Sequence, residues 1–179
     1  DIERINRSEG ASVIIAPALR TIMLGMNQHD KLHDSNLTDK NPLQDQRVRL
    51  ALWQAIDMDL IRKKIMREMS RNAGLLVAPP VPGYDKALDV IPATDPEAAK
   101  ALLAEAGFGD GVEVGFDCPN DRYVNDEEIC QAITAMWARI GVTAKLNAQT
   151  KSKHFEKVLS GNTDIFMVGW ATLPMLDTY

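Results

Sequence analysis

At 179 residues and 45% hydrophobic composition, the chain can bury one proper core, and two domains would be cramped. A net charge of -5 with no basic run excludes the electrostatic footprint of a nucleic-acid binder and gives an anionic membrane surface nothing to attract. No apolar stretch approaches the length needed to span a bilayer, and two cysteines are too few for a disulfide-built scaffold or a structural zinc site.

The opening "DIERINRSEG" reads as the middle of a helix, without an initiator methionine or a signal peptide, so the start is expected to be a cut one. "SVIIAPALRTIMLGMN" holds two apolar runs broken by Pro17, which predicts two strands joined by a short connection. Residues 27 to 46 are polar and loop-like. From "QRVRLALWQAI" the period becomes helical over 47–56, with Val48, Ala51, Leu52 and Ala55 on one face. Asp57 is then placed to cap a second helix whose stripe is Met58, Ile61, Ile65 and Met69. The proline-rich "GLLVAPPVPGYDKALDVIP" fits neither a helix nor a central strand and reads as a long surface connection.

"TDPEAAKALLAEAGFGDG" is the best-punctuated helix, over 96–106. Asp95 caps it, Pro96 sits where a missing N–H costs nothing, and Gly107 is suited to a left-handed ending. There follow a strand at 112–116, a helix at about 126–140 (Ile129, Ile133, Met136, Trp137, Ile140), a strand at 142–148, a short helix at "SKHFEKVLSG" and a closing strand from Ile165 to Trp170. Strands alternating with helices argue for parallel pairing, and so for an α/β fold with a mixed, largely parallel sheet flanked by helices. In such a sheet ligands bind beyond the carboxyl ends of the strands. The loops "DCPNDRYVN" and "ATLPMLDTY" both leave such ends, and if the strands are parallel they meet at one edge.

The motifs that suggest catalysis are weak. "GFGDGVEVG" ends a helix instead of opening one, so it reads as a helix stop and turn. Asp126, Glu127 and Glu128 fall in a first helical turn, where the dipole favours negative side chains. His29 and His33 are four apart, but their segment has almost no apolar residues to hold a helix and reads as a solvated loop. His154 is expected to be exposed. No nucleophile elbow, P-loop or zinc-protease motif occurs, and no cofactor is expected. Cys118 ends a strand and Cys130 lies one turn into the next helix; a bridge and a pair of free buried thiols both fit that placement.

The stretch "NPLQDQRVRLALWQAID" resembles a signature of the peptide/nickel family (family 5) of extracytoplasmic solute-binding proteins, the receptors of bacterial ABC importers. "DPEAAKALLAEAGFGDG", "CPNDRYVNDEEICQAI" with "ARIGV" after it, and "DIFMVGWAT" agree with that family in order. The resemblance spans almost the whole chain. It implies that residues 1–179 form a single lobe of a longer, two-lobe periplasmic binding protein (type II-like), cut near the crossing points, with Asp1 and Tyr179 near the hinge. It further implies capture of peptides or a related small solute by hinge closure, without catalysis. Its partners would be the missing first lobe and a membrane permease, its location periplasmic, and its Cys118–Cys130 pair more readily a bridge.

Carried onto this sequence, the resemblance places Trp170 as an apolar or aromatic wall of the cleft. Ala171 and Thr172 would offer backbone groups or a hydroxyl, and Arg122 or Tyr123 would approach from the neighbouring loop. Leu173 stands where peptide-binding members usually carry an aspartate for the α-ammonium, and Asp177 is the only acidic residue left in the tail. Two other readings remain open: a small α/β enzyme using Asp126, Glu127 or the His29/His33 pair, and a ligand-sensing domain of a signalling protein.

Overall fold

The computed structural model of the chain describes residues 2–15 and 18–171. Its elements run α1 (Ile2–Asn6), β1 (Arg20–Met26), α2 (Gln46–Gln54), α3 (Met58–Leu60), α4 (Pro96–Glu105), β2 (Val112–Pro119), α5 (Asp126–Ala138), β3 (Val142–Gln149), α6 (Lys151–Leu159) and β4 (Ile165–Ala171). The strands form one sheet in the order β1-β4-β2-β3. β2 is parallel to both β3 and β4, and β1 runs antiparallel to β4. The expected mixed, largely parallel sheet is therefore present.

Local chemistry explains the helices. The Asp95 carboxylate accepts the Ala98 amide at 2.9 Å, Pro96 takes the first helical position, and Gly107 ends α4 at φ +85°. Asp45 accepts the Arg47 amide at 2.8 Å to start α2, whose Val48, Ala51 and Leu52 are buried. Strand β2 is buried on both faces and carries the core. Phe116 stacks 5.2 Å from Trp137 of α5, and the Trp137 indole N–H donates to the Leu52 carbonyl at 2.9 Å, tying α2 to α5. Both rings are fully buried, each contributing about 2 to 3 kcal/mol of apolar burial.

The other face of β2 is closed by polar contacts. Asp164, at the entry to β4, is fully buried and its carboxylate accepts the amides of His33, Asp34 and Gly115 at 2.6, 3.0 and 2.9 Å. A side chain at Gly115 would begin 2.9 Å from the Asp34 Cβ, so only glycine lets the 29–37 segment lie this close. Asp117, also buried, accepts from Asn147 at 2.8 Å, Lys157 at 2.9 Å and Thr163 at 2.6 Å. Burial opposes the charge on Lys157, but Asp117 and Asp34 more than offset it and raise its pKa.

Three expectations are corrected. The run at 12–15 is not a strand: residues 11–15 have no regular structure and Ile14 is 90% exposed, because no neighbouring strand covers it; Pro17 itself lies outside the described residues. Asp57 does cap, accepting the Leu60 amide at 2.8 Å, but the helix after it is only α3 followed by a wide π turn at Ile61–Ile65. None of Met58, Ile61, Ile65 and Met69 is fully buried: Ile61 packs only partly against the core, and Met69 is exposed. His154 is fully buried, not exposed.

Candidate functional site

Because β2 and β4 are parallel, the loop at 120–125 and the end of β4 meet at one edge of the sheet, as the strand-end argument required. The β2–α5 loop there is tightly built. Asp126, 3% exposed, directs one carboxylate oxygen to the amides of Arg122 and Tyr123 at 2.9 and 2.8 Å. Asn120 donates its amide to the Gln149 carbonyl at 3.0 Å, and Asp121 accepts the Lys151 amide at 2.5 Å, joining the loop to the ends of β3 and α6. Cys118 and Cys130 are bridged beneath it, with Cα atoms 6.5 Å apart. The three carboxylates at 126–128 sit in the first turn of α5, where the helix dipole favours them.

Strands β2 and β4 pair only at Phe116 with Ile165 and Asp117 with Phe166, and beyond that point they separate. The Gly169 amide of β4 donates to the Tyr123 hydroxyl at 2.7 Å, and the His154 Nε2 donates to the Met167 carbonyl at 2.9 Å. Burial holds the His154 imidazole below the ordinary histidine range, so it is neutral, and its buried Nδ1 has no partner among the described residues. The Tyr123 ring is flanked by the guanidinium carbons of Arg122 and Arg20, 5.1 and 5.7 Å from its centroid. Arg20 pairs with Ala171 across β1 and β4. Trp170 is 43% exposed.

Of the residues picked from sequence, Arg122, Tyr123, Trp170 and Ala171 are brought to this edge, while Thr172, Leu173 and Asp177 lie outside the described residues. Tyr123 spends its hydroxyl on its own lobe. Arg20, His154 and Gly169 were missed by sequence reasoning. A basic residue opening β1 carries no local mark of the antiparallel pairing that delivers it here, and the histidine stands in a charged helix that reads as solvated.

The enzymatic candidates are not assembled. Asp126 is occupied by backbone amides, and Glu127 accepts from Gln131 at 3.2 Å. His33 Nε2 contacts the Gly161 carbonyl at 3.0 Å, and the 29–34 segment is not helical. Among the described residues no group of three His, Cys, Asp or Glu side chains could hold a metal ion. Two cavities, about 330 Å³ beside Asn27, His29 and Phe166 and about 560 Å³ beside Asp57, Lys63 and Pro92, are not lined by residues of the strand-end edge.

An open mixed sheet flanked by helices is the fold this chain shares with solved binding proteins. The chain belongs to the bacterial extracellular solute-binding proteins, family 5: the model of that family's middle region matches residues 1–179. It is 31% identical over 174 residues to the dipeptide-binding protein of Escherichia coli (strain K12), covering 95% of this chain and 30% of that protein. It is 28% identical over 138 residues to the periplasmic murein peptide-binding protein MppA of the same organism, covering 74% of this chain and 26% of that protein. The fold matches NikA from Staphylococcus aureus in complex with Ni(L-His)2, with TM-score 0.77 at 20% identity over 99% of this chain and 35% of that one. It also matches the dipeptide-binding protein from Pseudoalteromonas sp. SM9913 in complex with Met-Leu, with TM-score 0.74 at 20% identity over 95% and 32%. The chain thus spans about a third or less of the length of these proteins.

Proposed function

We propose that this chain is one lobe of a longer extracytoplasmic receptor that captures peptides or a related small solute and delivers it to a membrane permease of the ABC importer type. The observation that carries the reading is the convergence of the 120–125 loop and the end of β4 at one edge, in a chain whose family match covers its whole length. Trp170 forms an apolar wall, and Ala171 beside it offers backbone groups; Thr172 and Leu173, next in sequence, are the remaining candidates. Arg122 and Arg20 give the edge a positive rim suited to an anionic group such as a carboxylate. Tyr123 contributes through the strand it holds. The relatives carry names of binding proteins, and no catalysis is assigned to this lobe.

With Leu173 in place of an aspartate, recognition of a free α-ammonium needs a carboxylate from elsewhere, so the test varies the ligand's termini. Calorimetry of the full-length receptor against Met-Leu, its N-acetylated form and its C-amidated form is expected to show micromolar binding of at least one, weakened about tenfold or more by Trp170→Ala. This lobe alone supplies half of a closing cleft and is expected to bind in the millimolar range, since halving about -8 kcal/mol leaves roughly -4. No heat with any of the three, or equal affinity in W170A, would remove the peptide reading of this edge.

A further inference from the structure

On the side that faces β2, the end of β4 depends on side chains where the start of the strand depends on backbone. We propose that Tyr123 and His154 are positioning residues which stand in for the absent β2 partner along Met167–Gly169 and so fix where Trp170 and Ala171 are held at the end of β4. This rests on the reading of that edge as the ligand edge.

Four observations carry the inference. First, pairing with β2 stops at Phe166, so backbone groups of β4 beyond it lose their strand partner on that side. An unpartnered backbone group in a buried setting is costly, and these two are instead met at 2.7 and 2.9 Å by the Tyr123 hydroxyl and the His154 imidazole. Second, the two side chains come from different elements, the β2–α5 loop and α6, so the strand end is gripped by both. Third, Gly169 is built for this contact. A Cβ there would fall 2.8 Å from the Tyr123 ring and 2.7 Å from Ile22 Cδ1, so the ring lies against bare backbone one residue before Trp170. Fourth, Tyr123 is itself immobilised. Asp126 accepts its amide, and the 118–130 bridge closes the loop on both sides of it.

The test uses the full-length receptor without added ligand, so its outcome is independent of what the edge binds. Tyr123→Phe removes one hydroxyl and keeps the ring. It is expected to speed Gly169 amide exchange roughly three- to tenfold, the size of one net hydrogen bond. In protein labelled with 5-fluorotryptophan, the Trp170 resonance is expected to move while those of Trp53 and Trp137 stay. His154→Leu, which removes the donor to Met167 at similar volume, is expected to move the same Trp170 resonance; if that variant does not fold, Y123F decides alone. An unchanged Gly169 exchange rate and Trp170 resonance in Y123F would overturn the proposal. So would a uniform loss of protection across β2 and α5, which would make Tyr123 ordinary core support.

Discussion

The two ends of β4 are built by opposite means. At its entry, Ile165 and Phe166 pair with β1 on one side and β2 on the other, and Asp164 binds three amides from elements far away in sequence. At its exit only β1 pairs, two side chains replace the second neighbour, and Trp170 stands half in solvent. The contrast teaches where this fold spends its stability. The entry is over-determined by groups that cannot be removed singly without stranding others, whereas the exit is held by bonds each worth about 1 kcal/mol.

The sharpest way to break that comparison is at the entry. Asp164→Ala leaves the amides of His33, Asp34 and Gly115 buried without an acceptor and is expected to cost about 3 to 4 kcal/mol in urea unfolding. A loss below about 1 kcal/mol would mean that the two ends are equally supported. The disulfide comes next. Reduction is expected to lower stability by at most about 3 kcal/mol, because the loop it closes is short. Thiol titration of the denatured, unreduced chain is expected to find no free thiol, and two would remove the bridge from the account.

A third effect is set by pH. Burial holds the His154 imidazole low, against the upward pull of its bond to Met167 and of Asp117 and Asp126; Lys157 adds to the depression. The unfolded chain takes up a proton near the ordinary value of about 6.5, before the folded chain does. The stability contributed by neutral His154 is therefore full above that value and declines as pH falls below it. Denaturation at pH 7.5 and 5.0 is expected to show a larger drop in the parent chain than in His154→Gln; equal drops would assign the acid sensitivity elsewhere. The smallest effect on stability belongs to the exit. Trp170→Ala is expected to change the unfolding free energy by about 1 kcal/mol or less, since the ring is 43% exposed. A larger loss would show that the exit, too, is part of the core.

Much of the frame is readable from sequence because it is written locally. Asp95, Pro96 and Gly107 punctuate α4 within a few residues of one another, and the alternation after Val112 carries its own period. The meeting of the 120–125 loop with Trp170 follows from parallel pairing, which the alternation implies. What escaped is long-range and polar. Asp164, Asp117 and His154 look like surface residues until partners from distant segments are placed around them, and no local pattern marks a carbonyl that has lost its strand neighbour. The region after Asp57 failed for another reason. A helical stripe does not show where the backbone departs from the helix, and here the chain widens into a π turn at Ile61–Ile65 and then takes positive φ at Arg67 and Glu68.

The pairing of Arg20 with Ala171 also has a consequence in time. β2, α5 and β3 follow one another directly and bury the largest side chains, so their contacts close small loops. β1 meets β4 only after nearly the entire chain has been gathered, an entropic cost that delays contacts of high sequence separation. The β1–β4 ribbon is therefore expected to join the sheet last during folding and to be the first part to open. The edge bearing Trp170 would then be the part of the lobe that samples alternative arrangements most often.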